Sequence, residues 1–430
     1  MEREIMHRLL EWKQRSNRKP LILLGARQVG KTFILKQFGR RYYEHVAYIN
    51  CDNSELVKDL FTEDYNIQRI LLAVSAIAKV PVVPEKTLII FDEIQELRRG
   101  LNALKYFCED APQYHVAVAG SLLGITMHHG ESYPVGKVNI LRMTSMTFEE
   151  FLDAKGFEKM AQLIRDKEWD VVNDVHTHLT QLLREYYFVG GMPEAVHTFI
   201  VTNDATAVRQ VQQEILTAYD KDMSKHAPAN EAVRINQVWR SIPAQLAKEN
   251  RKFVYGAVRK GARANDFEIA IQWLLDAGLV HKIERVTRPA IPLKCYAEMS
   301  AFKLYLLDCG LLGAMSDIPP SMMLLPNDQM PTKGYFTENF VCCQLCNLLG
   351  DSVYYFSKDN STQEVDFIIQ GDTDACAIEV KAETNLHSKS LRAFHEENPQ
   401  VRCVRASMAA MRDQEWMTNV PVYALRGYFG

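Results

Sequence analysis

Leu21-Ile22-Leu23-Leu24-Gly25-Ala26-Arg27-Gln28-Val29-Gly30-Lys31-Thr32 is an apolar run that turns into a glycine-bounded loop and then into a helix. Its spacing is G-x-x-x-x-G-K-[ST], with Gly25, Gly30, Lys31 and Thr32 at the fixed positions. A buried strand precedes it, and an amphipathic helix carrying Phe33, Ile34, Leu35 and Phe38 follows. Glycines let successive backbone N–H groups turn toward one anion, and the N-terminal end of the following helix adds positive potential. The pattern predicts that Gly25, Ala26, Arg27, Gln28, Val29, Gly30, Lys31 and Thr32 cradle the phosphates of a nucleotide. Lys31 would reach the β- and γ-phosphates, and the Thr32 hydroxyl would hold Mg²⁺.

Around this loop, from residue 1 to about 151, short apolar runs alternate with helical patterns, which predicts a parallel sheet. The expected strands are 20–24, 45–50, 87–91, 114–119 and 138–143. The third runs Leu88-Ile89-Ile90-Phe91 and delivers Asp92 and Glu93, with Asp92 placed 61 residues after Lys31. A buried strand capped by two acids is the plain alternative. Given the upstream loop, Asp92 is expected to support Mg²⁺ and Glu93 to orient the attacking water. The fourth strand ends in Ala119-Gly120-Ser121, where Ser121 is either a turn residue or a sensor of the γ-phosphate.

The phosphate loop, Phe91-Asp92-Glu93-Ile94-Gln95, Ala119-Gly120-Ser121-Leu122-Leu123 and Phe148-Glu149-Glu150-Phe151-Leu152 together resemble one bacterial AAA+ family. Its members join an AAA_14-like P-loop domain to a C-terminal DUF4143 region. Gly190-Gly191-Met192-Pro193-Glu194, after a helical lid expected at 172–188, is similar to the Gly-Gly-x-Pro element of that family and its archaeal relatives. The resemblance covers nearly the whole chain and implies ATP and Mg²⁺ as ligands. It also makes a homo-oligomer conceivable, because AAA+ relatives commonly act as rings in which a neighbour's arginine completes the site. One departure weakens the ring: relatives often have Arg after the glycine at 136, and this chain has Lys137, which lacks the planar two-point contact of a guanidinium. Arg142 or the Arg98-Arg99 pair would be its substitutes; a monomeric or dimeric switch is the alternative.

Length and composition bound the rest. At 430 residues the chain exceeds one ordinary core, so two to four domains are expected. With 47% hydrophobic and 24% charged residues it has the composition of a soluble globular protein. A net charge of −3 gives no global bias toward nucleic acid. The nine cysteines form no regular disulfide framework. The N-terminus carries acids and no long apolar core, unlike a signal peptide, and the apolar stretch at 71–84 is too short and broken to span a bilayer. A cytoplasmic protein with reduced thiols and no membrane partner is expected. The expected divisions are an ATPase core at 1–152, a helical lid with the Gly-Gly-x-Pro box at 153–204, a winged-helix-like domain at 205–325 and a nuclease-like domain at 326–430.

Residues 205–300 hold fifteen Lys/Arg against ten Asp/Glu, a local +5 in a chain of −3. Lys248, Arg251, Lys252, Arg259, Lys260 and Arg263 concentrate it. A helix at 235–248, a short strand at 253–255, a helix at 265–277 and a ribbon from 279–285 to 293–297 follow the order of a winged helix. Basic residues leading into the second helix suit contact with DNA phosphates, whereas a solvated loop or a protein-docking module is the bland reading.

In the last hundred residues a helix at 333–349 is followed by strands at 353–357, 364–370 and 375–381, a helix at 388–396, and strands at 401–406 and 420–425. This α/β order carries Glu338, Asp366 and, 13 residues further on, Glu379-Val380-Lys381. It resembles the PD-(D/E)xK nuclease fold, a restriction-endonuclease-like α/β domain. That likeness implies Glu338, Asp366 and Glu379 as metal ligands, with Lys381 stabilising the developing charge. Strand alternation puts Glu379 and Lys381 on one face, although a surface ion pair would look the same. Cys342-Cys343-x-x-Cys346 lies on the apolar helix and reads as buried cysteine. His128-His129 reads as an exposed loop. Two functions follow from the sequence. One is an ATPase coupled to a metal-dependent nuclease placed on nucleic acid, DNA first. The other is an ATP switch whose C-terminal fold binds DNA or a protein without cutting.

Overall fold

A computed structural model of the chain describes residues 3–430 apart from 53–54, 62–63, 121–133, 229, 325–332, 359–362 and 383–387. It divides into two compact units, one running to Thr144 and including 276–278, the other formed by 145–275 and 279–430.

The first unit is an α/β sheet of five parallel strands: β1 (Leu21–Leu24), β2 (His45–Asn50), β3 (Thr87–Asp92), β4 (His115–Ala119) and β5 (Asn139–Arg142). Their order is β2-β3-β4-β1-β5. β1, β3 and β4 are buried along their whole length, which is why they read as unbroken apolar runs. On the Lys31–Tyr42 helix Ile34, Leu35 and Phe38 are buried, with Lys31 and Gly39, whereas Phe33, expected with them, is exposed. Helices Ile67–Ala78 and Gly100–Asp110 place Ile70, Val74, Leu104 and Phe107 in one core with Phe91. With β4 between β1 and β3, the carboxyl ends of three adjacent parallel strands open on one edge, where such sheets bind ligands.

The second unit combines helices with a mixed sheet of eight strands among the described residues: β6 (Val280–Val286), β7 (Ala297–Leu306), β8 (Val353–Ser357), β9 (Glu364–Gln370), β10 (Ala375–Lys381), β11 (Arg402–Ser407), β12 (Arg412–Asp413) and β13 (Thr418–Pro421). The helices Ala232–Leu246 and Glu268–Asp276 and the antiparallel ribbon β6–β7 come in the expected order, but Leu293–Tyr296, expected in the ribbon's second arm, forms a 3-10 turn and that arm runs Ala297–Leu306. The ribbon, however, does not close a separate module. β6 pairs in parallel with β8 at Glu284↔Tyr354, Arg285↔Tyr355 and Val286↔Phe356. A boundary at 325/326 would therefore cut a hydrogen-bonded sheet and leave the β8 edge bare. Three local expectations also change. Residues 253–254 are irregular, Phe253 N–H donating to Phe302 O at 2.9 Å before the short Tyr255–Val258 helix. The segment expected as one lid helix, 172–188, falls across two helices, Trp169–Asp174 and His176–Val189. The chain after Thr418–Pro421 turns helical to Phe429.

Helix Lys333–Leu349 packs on β7 and β10, and helix Lys389–Glu397 packs on β9, β10 and β11. In the latter layer Leu391 and Phe394 meet Val365, Ile368, Ala375, Ala377 and Cys403.

The Gly190-Gly191 box is a steric joint inside this unit. Gly190 has φ +75, and a Cβ there would stand 2.2 Å from Asp308 Oδ1. Gly191 N–H donates to Asp308 Oδ2 at 2.6 Å, and Met146 N–H donates to Gly191 O at 2.7 Å. Asp308 also caps the Cys309–Met315 helix through Leu311 N–H at 3.0 Å. Burial pushes the Asp308 carboxyl up to about 6, although the backbone donors pull the other way.

Candidate functional site

The loop after β1 has the backbone that its glycines require. Gly25 (φ +151), Gln28 (φ +66) and Gly30 (φ +98) all take positive φ, and a Cβ at Gly25 would meet Met143 O at 2.2 Å. Arg3 braces the loop: its guanidinium donates to Val29 O at 3.1 Å and to Thr144 O at 2.8 Å. No motif marks Arg3 in the sequence. Lys31 is buried, and its Nζ donates to the Gly25 and Ala26 carbonyls, each at 2.7 Å. Burial lowers its pKa to about 8 against the opposing pull of Glu93 and Asp92. A phosphate facing Lys31 would favour its charged form.

Thr32 and Asp92, 60 residues apart, meet here: Thr32 Oγ1 donates to Asp92 Oδ2 at 2.8 Å. Tyr48 OH donates to the same oxygen at 3.0 Å. A hydroxyl and a carboxylate at the mouth of a phosphate loop are hard oxygen donors of the kind that Mg²⁺ takes together with phosphate oxygens, so these residues fit that ion. Glu93 follows at the end of β3 in the left-handed region (φ +54), with its carboxylate accepting from Gln95 Nε2. Ser121 and His128-His129 lie outside the described residues. Lys137 is ion-paired with Glu109 at 2.8 Å, and of its expected substitutes Arg99 donates to Tyr65 OH at 2.9 Å.

The carboxylates of the second unit are arranged differently from the sequence expectation. The structure brings Glu338 and Asp366 together through Arg251, and Asp366 Oδ2 also accepts from the Val380 N–H at 2.8 Å, between Glu379 and Lys381. Strand β9 carries a β-bulge at this point. From Tyr354 to Phe356 β8 advances two residues, while β9 spends three from Ile368 to Val365. The extra residue lies at Asp366-Phe367, and a one-residue slip moves a side chain to the other face. At the bulge Asp366 shares Arg251 with Glu338 of the Lys333–Leu349 helix. Glu379 alternates in line with Ala375 and Ala377, on the face of Leu391 and Phe394. There it pairs with Lys381 at 3.1 Å and sits in register with Arg405. Glu379 Oε2 is buried with no donor among the described residues.

Around Glu338 the chain supplies its own cations. Lys303, fully buried, lies 3.3 Å from Glu338 Oε1 and 2.7 Å from Glu364 Oε1. Tyr305 OH donates to Glu338 Oε1, and the Arg251 guanidinium pairs with Glu338 Oε2 and lies 4.0 Å from Asp366. Burial opposes the charged form of Lys303, but Glu338 and Glu364 hold its pKa above the ordinary value, and Arg251 is held up in the same way by Glu338 and Asp366. Burial first, and the Glu338 charge second, raise Asp366 to about 7 against the pull of Lys303, Arg251 and the Val380 N–H, which donates to it at 2.8 Å. With two cations already on these carboxylates, the donor set does not fit a divalent metal. Among the described residues no group of three or more His, Cys, Asp or Glu is arranged to hold one. The sequence presents Arg251 as part of a basic cluster and sets Lys303 in no motif. The available signal was a lone lysine inside the apolar run Phe302-Lys303-Leu304-Tyr305.

The basic segment is also partly spent. Arg251 turns inward and Arg259 lies 3.5 Å from Asp266, while Lys248, Lys260 and Arg263 are exposed.

A parallel sheet with G-x-x-x-x-G-K-T after β1 and an acid pair ending β3 defines the first unit as a P-loop ATPase fold. Residues 17–152 match the AAA domain family AAA_14, so the chain contains an AAA domain. Residues 333–425 match the domain of unknown function DUF4143, and residues 180–322 match a second one, DUF8612. Comparison with curated proteins gave no match. Among solved structures the chain is similar to the Walker-type ATPase PABY2304 of Pyrococcus abyssi, at 15% identity over 73% of this chain and 95% of that one, TM-score 0.47. The ORC1 protein of Aeropyrum pernix, solved in complex with DNA, aligns at 13% identity over 76% and 95%, TM-score 0.28. Drosophila ORC, solved bound to DNA, aligns at 14% over 73% and 94%, TM-score 0.29. No helix among the described residues is long and apolar enough to cross a membrane.

Proposed function

We propose that the chain is an ATP-hydrolysing switch whose second unit engages nucleic acid without cutting it. The observation that carries the non-cutting part is the neutralisation of Glu338 by Lys303 and Arg251. In the first unit Lys31 binds the terminal phosphates, Thr32 and Asp92 hold Mg²⁺, and Glu93 orients the attacking water. Ser121 is the proposed sensor. Bound Mg²⁺ would supply charge neutralisation on the transferred phosphoryl group. The exposed Lys248, Lys260 and Arg263 are the proposed phosphate contacts, a sequence-independent and salt-sensitive mode.

ATP binding, ATP turnover and plasmid integrity, measured side by side with and without DNA, test this reading. Lys31→Ala should lose binding, and Glu93→Gln should keep binding and lose turnover. Plasmid should stay intact in Mg²⁺ or Mn²⁺ throughout. The buried, donorless Glu379 Oε2 beside Lys381 favours a second reading, a nuclease. Nicking by the wild type that vanishes in Asp366→Ala and Lys381→Ala would establish that reading and remove the first.

A further inference from the structure

Tyr48 stands at the nucleotide site but belongs to no motif. It lies on β2, 44 residues before Asp92 in the chain. β2 runs parallel to β3, with Tyr48 in register with Ile90 and Asn50 with Asp92. Strand alternation puts Ile90 and Asp92 on one face of β3, and Tyr48, beside Ile90, shares that face. From there the half-buried tyrosine donates its hydroxyl to Asp92 Oδ2 at 3.0 Å. Thr32 Oγ1 donates to the same oxygen at 2.8 Å. Two hydroxyl donors use the two lone-pair sites of Oδ2, and Oδ1 takes part in neither bond. The tyrosine is itself held. The Lys36 ammonium lies 3.3 Å from the centre of its ring, within reach of a cation–π attraction. Thr32 and Lys36 are four residues apart on the Lys31–Tyr42 helix, so they are neighbours on one helical face. That face reaches the sheet twice, through Thr32 on Asp92 and through Lys36 on the Tyr48 ring.

We propose that Tyr48 is a positioning residue for metal-dependent nucleotide binding: clamped by Lys36, its hydroxyl fixes the plane of the Asp92 carboxylate and reserves Oδ1 for the water shell of the nucleotide's Mg²⁺. The assignment rests on the ATPase reading of the first unit. With Thr32 as its one donor the carboxylate can pivot about a single hydrogen bond. A second donor, arriving from another strand, removes that freedom. Side chains that orient a metal-supporting carboxylate contribute to metal affinity without touching the ion, and losing one typically costs about tenfold or more. Tyr48 therefore acts through Asp92, and Lys36 acts through Tyr48.

A fluorescent ATP analogue, titrated onto the full chain in EDTA and again at graded Mg²⁺, separates metal-independent from metal-dependent binding. Tyr48→Phe keeps the ring and loses only the hydroxyl. It should raise the Mg²⁺ concentration for half-maximal effect by about tenfold, while affinity in EDTA stays at the wild-type value. Lys36→Met, which removes the charge over the ring, should shift the Mg²⁺ response in the same direction by a smaller factor. Tyr48→Phe added to Asp92→Asn should shift it no further than Asp92→Asn alone, because the hydroxyl then has no carboxylate to fix. A tyrosine that only supports the fold would lower affinity by the same factor in EDTA and in Mg²⁺. That result overturns the proposal, as does a wild-type Mg²⁺ response in Tyr48→Phe. If the wild-type chain binds the analogue with no response to Mg²⁺, or Lys31→Ala binds it as the wild type does, the ATPase reading falls and the proposal falls with it. A normal wild-type response alongside an unchanged Tyr48→Phe removes the role of the tyrosine alone.

Discussion

At the scale of single residues, charge and backbone decide most of what can be tested. Gly25 combines φ +151 with a carbonyl 2.2 Å from where a Cβ would stand. Gly25→Ala should destabilise the first unit by about 2–3 kcal/mol and lose nucleotide binding; urea unfolding and a fluorescent-nucleotide titration read the two losses separately. Asp366 sets a pH dependence. Its carboxyl titrates at about 7 in the folded chain, against about 3.9 when unfolded. Between those values the folded protein keeps a proton that the unfolded chain has released. Asp366 therefore adds stability below about pH 4 that is progressively lost as pH rises to about 7. Asp366→Asn cannot titrate, so from pH 5 to pH 8 its denaturation midpoint should fall less than that of the wild type. Equal falls would disprove the buried, protonatable state.

At the scale of elements, two long-range contacts hold pieces that look independent along the chain. The strand β7 delivers Lys303 to Glu338 of the Lys333–Leu349 helix and to Glu364 of β9. Lys303→Met leaves the buried Glu338 with Arg251 alone and the half-buried Glu364 without its cation, and should cost about 3 kcal/mol, the low end of what breaking a buried pair from one side costs. Adding Glu338→Gln should recover part of that loss, and a double-mutant cycle in denaturant measures it. The Gly190-Gly191 joint behaves likewise. Gly190→Ala places a methyl against Asp308 at positive φ and should cost about 2 kcal/mol or more. A glycine box that the sequence presents as a family signature is, in physical terms, the room that Asp308 needs.

At the scale of the whole molecule, the sheet decides where the chain can be divided. A fragment of residues 326–430 loses β6, β7 and Lys303, exposing the β8 edge and leaving Glu338 buried without its lysine. It should be insoluble or unfolded by circular dichroism, whereas a fragment beginning at Ser145 keeps both and should fold cooperatively. By itself the sequence determined the first unit: the parallel sheet, the phosphate loop and the acid pair ending β3. Those signals are contiguous, and each is read from local spacing and apolar patterning. It also located the strands β8 to β10 to the residue. Only the tertiary structure decided what surrounds Glu338 and Asp366. Two cations, Arg251 and Lys303, reach them from 87 and 35 residues before Glu338. Ion pairs across the fold depend on how distant segments pack, so no local pattern could report that two cations come to these carboxylates.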